Sequence, residues 1–183
     1  MTKVFINPGH DPEIGWHDYY DQGAVNESLG LYENLIAADV GKLVEKYLMD
    51  AGCETYYLQD ESLKRIYCRA NEWGADLFLS IHCNAFNTLA KGTEVLTYPT
   101  DDEGAELGEC ILKQIVDSLG TFDRGIKYRT DVAVLNGTDM PAVLVEMAFI
   151  DNAEDAPLLR DKKDDFARAI ARGVTDYLTG VGK

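Results

Sequence analysis

Short apolar runs rich in β-branched and aromatic residues alternate along the chain with longer stretches whose apolar residues recur every three or four positions. The short runs predict six strands, at Lys3–Asn7, Glu54–Leu58, Leu77–Cys83, Thr93–Tyr98, Val132–Leu135 and Ala142–Phe149. The longer stretches predict helices over about Leu31–Ala51, Ser62–Trp73, Asp102–Leu119 and Asp164–Leu178. Because strands and helices alternate, we expect a three-layer α/β fold: a mostly parallel, twisted sheet of about six strands flanked by helices.

The length and the absence of a linker indicate one domain. The chain has 183 residues, which suits a single α/β domain spanning 1–183. One stretch, Asp11–Gly30, has no clear period and predicts a long loop directly after His10. Loops of that length in a compact domain are often functional.

Composition and charge exclude several classes of partner. The formal net charge of −15 argues against a nucleic-acid partner and against simple attraction to an anionic surface. No apolar run is long enough to span a bilayer, and the first residues enter a strand pattern without the apolar stretch of a secretory signal. We therefore expect either a cytosolic protein or a fragment of something larger. The four cysteines lack C-x-x-C spacing, which predicts reduced, mostly buried thiols.

Three distant segments place a metal-binding or acidic side chain at or near the end of a buried strand. They are Asn7–His10, Ser80–Asn84 and Val143–Met147. A histidine or glutamate in such a run must be paired, hydrogen-bonded or metal-bound, because an isolated buried charge is costly. Two histidines and carboxylates at one edge of a sheet are the usual ingredients of a catalytic zinc site.

Each candidate also has a plain structural interpretation. His10 follows a strand at the position where open α/β sheets bind ligands, but it could be a turn histidine bonded to backbone. His82 shares a strand face with Phe78 and Ser80 and could be a satisfied core histidine. Glu146 interrupts an otherwise apolar strand, and glutamate is almost never fully buried unless paired, so a functional role is favoured there.

The predicted helix from Leu31 supplies a further carboxylate. Its apolar stripe includes Ile36 and Val40, and Glu33 lies one turn earlier on the same inward face. Glu27, in the preceding loop, is a rival for the same role. We prefer Glu33 because it points inward, whereas His17, in the polar loop, is expected to be exposed.

Taken in series, the motifs of this chain resemble those of the amidase-3 family, the zinc-dependent N-acetylmuramoyl-L-alanine amidases of bacteria and phages. The resemblance runs nearly end to end and rests on Gly9-His10, Asp21-Gln22-Gly23-Ala24, Gly30-Leu31-Tyr32-Glu33, Arg69-Ala70-Asn71, Ser80-Ile81-His82-Cys83-Asn84-Ala85, Gly92-Thr93-Glu94-Val95, Arg124-Gly125-Ile126-Lys127, Pro141-Ala142-Val143-Leu144-Val145-Glu146 and Phe149-Ile150-Asp151-Asn152. One departure is Asp11-Pro12 after His10, where many relatives have two glycines.

The resemblance implies one Zn²⁺ per chain, held by His10, Glu33 and His82, with Glu146 as the catalytic acid and base. The implied reaction is hydrolysis of the amide between N-acetylmuramic acid and the L-alanine of the peptidoglycan stem peptide. Arg124 is a candidate for holding a substrate carboxylate or oxyanion, or else a surface loop arginine. Ser80 and Asn84 are expected to support the site structurally.

Two rival functions remain open for this sequence. A zinc peptidase that cuts within the stem is one rival, and a wall-binding module with a vestigial site is another. The resemblance implies an endolysin-type catalytic domain that stays in the cytoplasm until it is released to the cell wall. It also implies a separate wall-binding domain in the full-length protein, and no membrane insertion.

Overall fold

A six-stranded sheet forms the centre of the protein. The computed structural model describes residues 1–11 and 20–180. The strands of the sheet are β1 (Lys3–Pro8), β4 (Glu54–Tyr57), β5 (Leu77–Asn84), β6 (Thr93–Thr97), β7 (Asp123–Tyr128) and β8 (Ala142–Phe149). They lie side by side in the order β4-β1-β5-β8-β6-β7. A small antiparallel hairpin, β2 (Val25–Asn26) with β3 (Leu31–Tyr32), stands apart from this sheet.

All but one of the strand pairings in the large sheet are parallel. β1 pairs in parallel with β4 and β5, β5 with β8, and β6 with β7. Only the β6–β8 pair is antiparallel. The predicted mostly parallel sheet is therefore confirmed, and the carboxyl ends of β1, β5 and β8 meet at the same edge.

Six helices of the described residues, 1–11 and 20–180, cover the two faces of the sheet. They are α1 (Glu33–Asp50), α2 (Leu63–Trp73), α3 (Asp102–Leu119), α4 (Ala133–Gly137), α5 (Asp155–Asp161) and α6 (Lys163–Thr179). The larger apolar core packs α1, α3 and α6 against one face. The smaller core packs α2 and α4 against the other. The three-layer α/β architecture expected from the sequence is thus confirmed.

Strand alternation decides which face each side chain of β5 reaches. Leu77, Leu79 and Ile81 enter the larger core, whereas Phe78 enters the smaller one. Because successive side chains point to opposite faces, His82 lies on the Phe78 face, under α2 and α4. Cys83 points the other way into the larger core, as strand alternation requires.

Helix boundaries follow recognisable caps. The hydroxyl of Ser62 accepts the N–H of Arg65 at the start of α2, and Gly74 ends that helix in the left-handed conformation. Asp101 accepts the N–H of Gly104 at the start of α3, with left-handed Gly120 at its end. These signals explain why α2 and α3 lie where the sequence predicted them.

One predicted strand is wrong. The segment Val132–Leu135 forms the start of the short helix α4 rather than a strand. Its side chains Val134 and Leu135 are buried in the smaller core all the same. A short apolar run cannot be told from a buried helical turn by periodicity alone, which is why the pattern misled.

The sixth strand is β7, which the sequence pattern did not predict. β7 lies at the edge of the sheet, and the residues of Asp123–Tyr128 are only partly buried or exposed. An edge strand of this polarity lacks the apolar run that indicates a strand. Likewise, Leu31–Tyr32 belongs to the hairpin, and α1 begins at Glu33 rather than at Leu31.

Helix hydropathy and the state of the cysteines are two further features of the described part of the chain. None of its helices is both long enough and apolar enough to cross a membrane. The four cysteines are free; Cys53 and Cys83 are buried, and Cys68 and Cys110 are partly buried.

Replacement of Gly173 by Ala should destabilise the fold, although alanine is the better helix former. Gly173 lies in α6, where a Cβ atom would come within 2.4 Å of the Cα of Ile111 in α3. Overpacking of a well-packed core typically costs about 1–3 kcal/mol. Denaturant unfolding should therefore show a lower free energy of unfolding for Gly173→Ala. A gain in stability would mean that the α3–α6 contact is looser than described.

Candidate metal centre and active site

The sheet brings four of the predicted site residues to one edge. His10 follows β1, His82 lies near the end of β5, Glu146 lies in β8, and Glu33 opens α1. Ligands of open α/β sheets bind outside the carboxyl ends of the strands, and this edge is where those of β1, β5 and β8 meet. The topology therefore explains how residues as distant in sequence as 10 and 146 come together.

Two histidines and one glutamate form a compact group that could hold a metal ion. The Nε2 atom of His10 lies 3.1 Å from Oε2 of Glu33, and Nδ1 of His82 lies 2.9 Å from Oε1 of the same carboxylate. One ligand atom from each of the three residues lies within 4.8 Å of the others. Two imidazole nitrogens and a carboxylate oxygen are a donor set that suits zinc, so the residues fit such an ion.

Backbone groups fix the carboxylate of Glu33 independently of the histidines. The N–H of Ala24 donates to Oε2 at 2.7 Å, and the N–H of Cys83 donates to Oε1 at 3.0 Å. Glu33 is only 4% exposed, so these bonds offset the cost of burying a charge. The carboxylate is therefore held between β5 and the segment that precedes the hairpin.

Neighbouring charges and burial shift the pKa values of Glu33 and His10. Burial opposes ionisation of Glu33, yet hydrogen bonds and charges from His10 and His82 lower its pKa well below the usual range. Burial would lower the pKa of His10, but Glu33 and Asp21 outweigh it and raise that pKa to about 9. A raised pKa favours the protonated ring of His10, and a metal ion bound at Nε2 would have to displace that proton.

Asp21 orients the His10 ring, a role that the sequence did not indicate. Its Oδ2 lies 2.8 Å from Nδ1 of His10, on the opposite side of the ring from Glu33. Its other oxygen accepts the N–H of Gly23 at 2.9 Å, and its own N–H donates to Asp11 at 2.8 Å. Metal-binding histidines usually carry such a carboxylate on the second nitrogen. Asp21 stood in a quoted motif, but nothing in its spacing pointed to this contact.

Two glycines leave room for the histidine rings. A Cβ atom on Gly9 would lie 2.2 Å from Cε1 of His82, and one on Gly23 would lie 2.4 Å from Cδ2 of His10. His10 itself has a left-handed backbone with φ of 62°, which is rare for a residue with a side chain. Strained conformations of this kind persist where the surroundings hold a functional group in place.

Glu146 lies directly beside this group. In the sheet it is the neighbour of His82 on one side and of Glu94 on the other. Its Oε2 is shielded from solvent and has no hydrogen-bond partner in residues 1–11 and 20–180. Burial, with smaller contributions from the charges of Glu33 and Glu94, raises the pKa of Glu146 to about 7. A buried carboxylate oxygen without a partner calls for a hydrogen-bond donor. Next to a metal-binding group, a bound substrate or water molecule could supply that donor.

The guanidinium of Arg124 is paired with side chains of the protein. Its Nε donates to Oε2 of Glu94 at 2.7 Å, and its guanidinium lies 4.8 Å from the centre of the Phe149 ring. Asn84 donates to the other oxygen of Glu94 at 2.8 Å. Arg124 lies in β7, so it is not the loop arginine considered as the alternative. Glu94, which links it to the neighbourhood of Glu146, was not singled out from the sequence.

The other candidates are placed as follows. Glu27 is exposed in the turn between β2 and β3, outside the group formed by His10, Glu33 and His82. Ser80 is buried and its hydroxyl donates to Oδ1 of Asn7 at 3.0 Å, a supporting contact below His82. His17, and with it part of the predicted loop Asp11–Gly30, lies outside the described residues.

A cleft of about 380 Å³ opens beside the two histidines. It lies between the sheet, the first turns of α2 and the segment that leads into α4. Its described lining includes His10, His82, Leu63, Ile66 and Val134. A substrate in this cleft would therefore lie next to the candidate metal centre.

Fold and site together define a class of protein. An α/β domain that presents two histidines and a carboxylate beside a second carboxylate has the arrangement of a metal-dependent hydrolase. One oxygen of that second carboxylate has no partner among the described residues. The sequence profile of the N-acetylmuramoyl-L-alanine amidase family matches residues 4–176 of the chain. The chain belongs to this family, which confirms the resemblance found in the motifs.

Individual relatives agree with the family. The chain is 35% identical over 187 residues to the N-acetylmuramoyl-L-alanine amidase LytC of Bacillus subtilis, covering 95% of the chain and 35% of LytC. It is 42% identical over 112 residues to the endolysin of Bacillus phage SPP1, covering 57% of the chain and 40% of that protein. The structure of the amidase AmiC2 of Nostoc punctiforme superposes with a TM-score of 0.86 at 29% identity, covering 97% of each chain. The chain thus spans about a third of the length of LytC.

Replacement of Gly23 by Ala should weaken binding of a divalent metal ion. The new Cβ would lie 2.4 Å from His10 and 2.5 Å from Glu33, and so would displace two members of the group. We expect a loss of affinity of about 10–100-fold, as for other changes that disturb ligand orientation. Isothermal titration with Zn²⁺ measures it.

Gly30→Ala is the matched control. Gly30 has nearly the same φ, 62° against 67°, but none of the atoms described lies within 4 Å of its would-be Cβ. This variant carries the backbone strain without the clash, so its metal affinity should stay near that of the wild type. Equal losses in both variants would attribute the effect to strain and not to the crowding of His10.

Proposed function

We propose that this domain is a zinc-dependent N-acetylmuramoyl-L-alanine amidase. It hydrolyses the amide bond between the lactyl group of N-acetylmuramic acid and the L-alanine of the stem peptide. Family membership supports the reaction. The single observation that carries the mechanism is the unpartnered Oε2 of Glu146 beside a group of two histidines and a glutamate.

In this proposal His10, Glu33 and His82 hold one Zn²⁺ per chain. A zinc ion held by three protein ligands supplies a Lewis acid that polarises the scissile carbonyl and lowers the pKa of water toward about 7. Asp21 keeps the His10 ring in the orientation that directs Nε2 toward Glu33. Gly9 and Gly23 keep the space around both rings clear.

Glu146 moves the proton. As a carboxylate it takes a proton from the attacking water, and as a carboxylic acid it returns that proton to the leaving nitrogen of L-alanine. A group whose pKa lies near 7 can serve in both directions at neutral pH, and burial gives Glu146 such a pKa. Its free Oε2 is available for this exchange because no other described group occupies it.

The wider context is also a proposal. We take residues 1–183 as one catalytic domain that works with a separate wall-binding domain, since nearly the whole chain matches only 35% of LytC. A net charge of −15 makes a separate binding domain useful against anionic wall polymers. The likeness to the SPP1 endolysin supports a protein kept in the cytoplasm until it is released to the cell wall.

Product analysis tests the reaction. The purified chain, incubated with soluble muramoyl peptides, should release an intact stem peptide with a free L-alanine amine and leave a free lactyl carboxylate. A cut within the peptide would identify the zinc peptidase considered above instead. Wall binding without any product would identify a binding module.

Glu146→Gln tests the proton transfer within the same assay. The amide keeps the volume of the side chain but cannot accept a proton, and loss of a general base typically lowers the rate by about 10²–10⁴-fold. Zinc content and melting temperature should remain near wild type. Zinc lost in step with activity would make Glu146 a ligand, and a near-normal rate would remove it from the mechanism.

Zinc analysis tests the ligand set. The chain should contain one zinc, lose it and its activity to a chelator, and regain both with added Zn²⁺. Glu33→Ala should empty the site because Glu33 contacts both histidines. Glu27→Ala is the matched control, since Glu27 is exposed in a turn. If Glu27→Ala alone abolished zinc binding, the ligand assignment would be wrong.

A further inference from the structure

The cleft beside the histidines combines acidic and apolar walls. Five acids line its described part, and none of the described lining residues is lysine or arginine. The acids are Asp11, Asp21, Asp60, Glu61 and Asp131. Apolar side chains face the same space from α2 and from the segment leading into α4, namely Leu63, Ile66, Val132 and Val134. This combination suits a ligand with an aliphatic chain that ends in a positive charge.

Two of these acids are held in place by arginines that do not line the cleft. Asp60 accepts the N–H of Ser62 at 2.8 Å and an arginine N–H from Arg65 at 2.7 Å. The side chain of Asp60 is 11% exposed and that of Arg65 is 68% exposed, so the charge of the arginine is the more screened by water. Asp131 forms a two-point pair with Arg129 at 2.7 Å. Both carboxylates are therefore positioned, and the five lining acids still outnumber these two arginines, so the cleft keeps an excess of negative charge.

Asp11 provides an independent sign that a ligand is expected. Asp11 is 6% exposed, and its Oδ2 accepts the N–H of Asp21 at 2.8 Å. Its Oδ1 is buried and has no hydrogen-bond partner in the described part of the protein. Asp11 lines the cleft, so a ligand bound there is one source of such a donor. Unpartnered buried oxygens are rare in folded proteins and call for such a donor.

We propose that this acidic cleft binds the stem peptide and selects stems that carry a side chain with a primary ammonium group. The apolar wall contacts the methylenes of that side chain, and the carboxylates of Asp60, Asp131 and Asp11 face its charge. The inference rests on the proposed amidase function, because the cleft begins at His10 and His82, where the scissile bond would lie. It adds a basis for specificity in the stem, several bonds away from the reaction.

Two soluble substrates that differ only in one charge test this inference. The first is a muramoyl tripeptide with lysine as its third residue, and the second is the same compound acetylated on the lysine amine. Acetylation removes the charge and keeps the methylenes. For the wild-type protein we expect kcat/KM to be about tenfold higher for the free amine, and this ratio should shrink as salt screens the charges.

Variants then show which residues cause the preference for the free amine. In the Asp60→Asn/Asp131→Asn double variant the ratio between the two substrates should fall toward one, because both carboxylates are replaced by neutral side chains of similar shape. Asp161→Asn is the matched control: it breaks a two-point pair with Arg160 of the same kind as Asp131–Arg129, but Asp161 does not line the cleft. The control should keep the wild-type ratio.

The outcomes separate this inference from the proposed function. If neither substrate is cut at the lactyl amide, the amidase function fails. If the wild-type protein cuts both at that bond with equal kcat/KM, the function stands and the acidic cleft has no role in specificity. A ratio that persists unchanged in a folded double variant, checked by thermal melting, would also overturn the inference. The wild-type comparison needs no variant, so the test holds even if the double variant fails to fold.

Discussion

The carboxylate of Glu33 is the interaction on which the site depends. It accepts hydrogen bonds from both histidines and from two backbone N–H groups, those of Ala24 and Cys83. These donors come from the ends of β1 and β5 and from the segment before the hairpin, so one buried side chain joins three separate parts of the chain. Since the backbone bonds do not involve the histidines, they would keep the carboxylate in position if a metal ion replaced its contacts with the two rings.

The site residues that could be predicted from the sequence are polar side chains placed in buried, apolar elements, where an unpaired charge would cost free energy. His82 and Glu146 interrupt apolar strands, and Glu33 lies on the inward side of an apolar helix stripe, so each needs a partner. Asp21, Gly9 and Gly23 gave no such sign. Two of them lie in a segment without periodicity, and all three act through atoms brought close only by the folded chain.

The errors in secondary structure have a related origin. Hydrophobic patterning reports burial, and it reports the kind of element only when the run is long. Val132–Leu135 is buried as predicted but is too short to distinguish helix from strand, whereas β7 is a true strand that is too exposed to be noticed. The Arg124–Glu94 pair joins positions 30 residues apart through the β6–β7 pairing, which no local pattern predicts. The long elements α2, α3 and β8 were predicted well because caps and periodicity agreed.

The position of β8 has a consequence for how the chain is made. β8 is the last strand in sequence but lies between β5 and β6 in the sheet. Until residues 142–149 leave the ribosome, the strands already made can form only two separate pieces, β4-β1-β5 and β6-β7, each with an apolar strand unpaired at its edge. Such edges attract other chains, so a nascent or truncated protein that ends before β8 is expected to aggregate. The same insertion that completes the sheet also brings Glu146 beside His82, so the candidate site is complete only when β8 has joined the sheet.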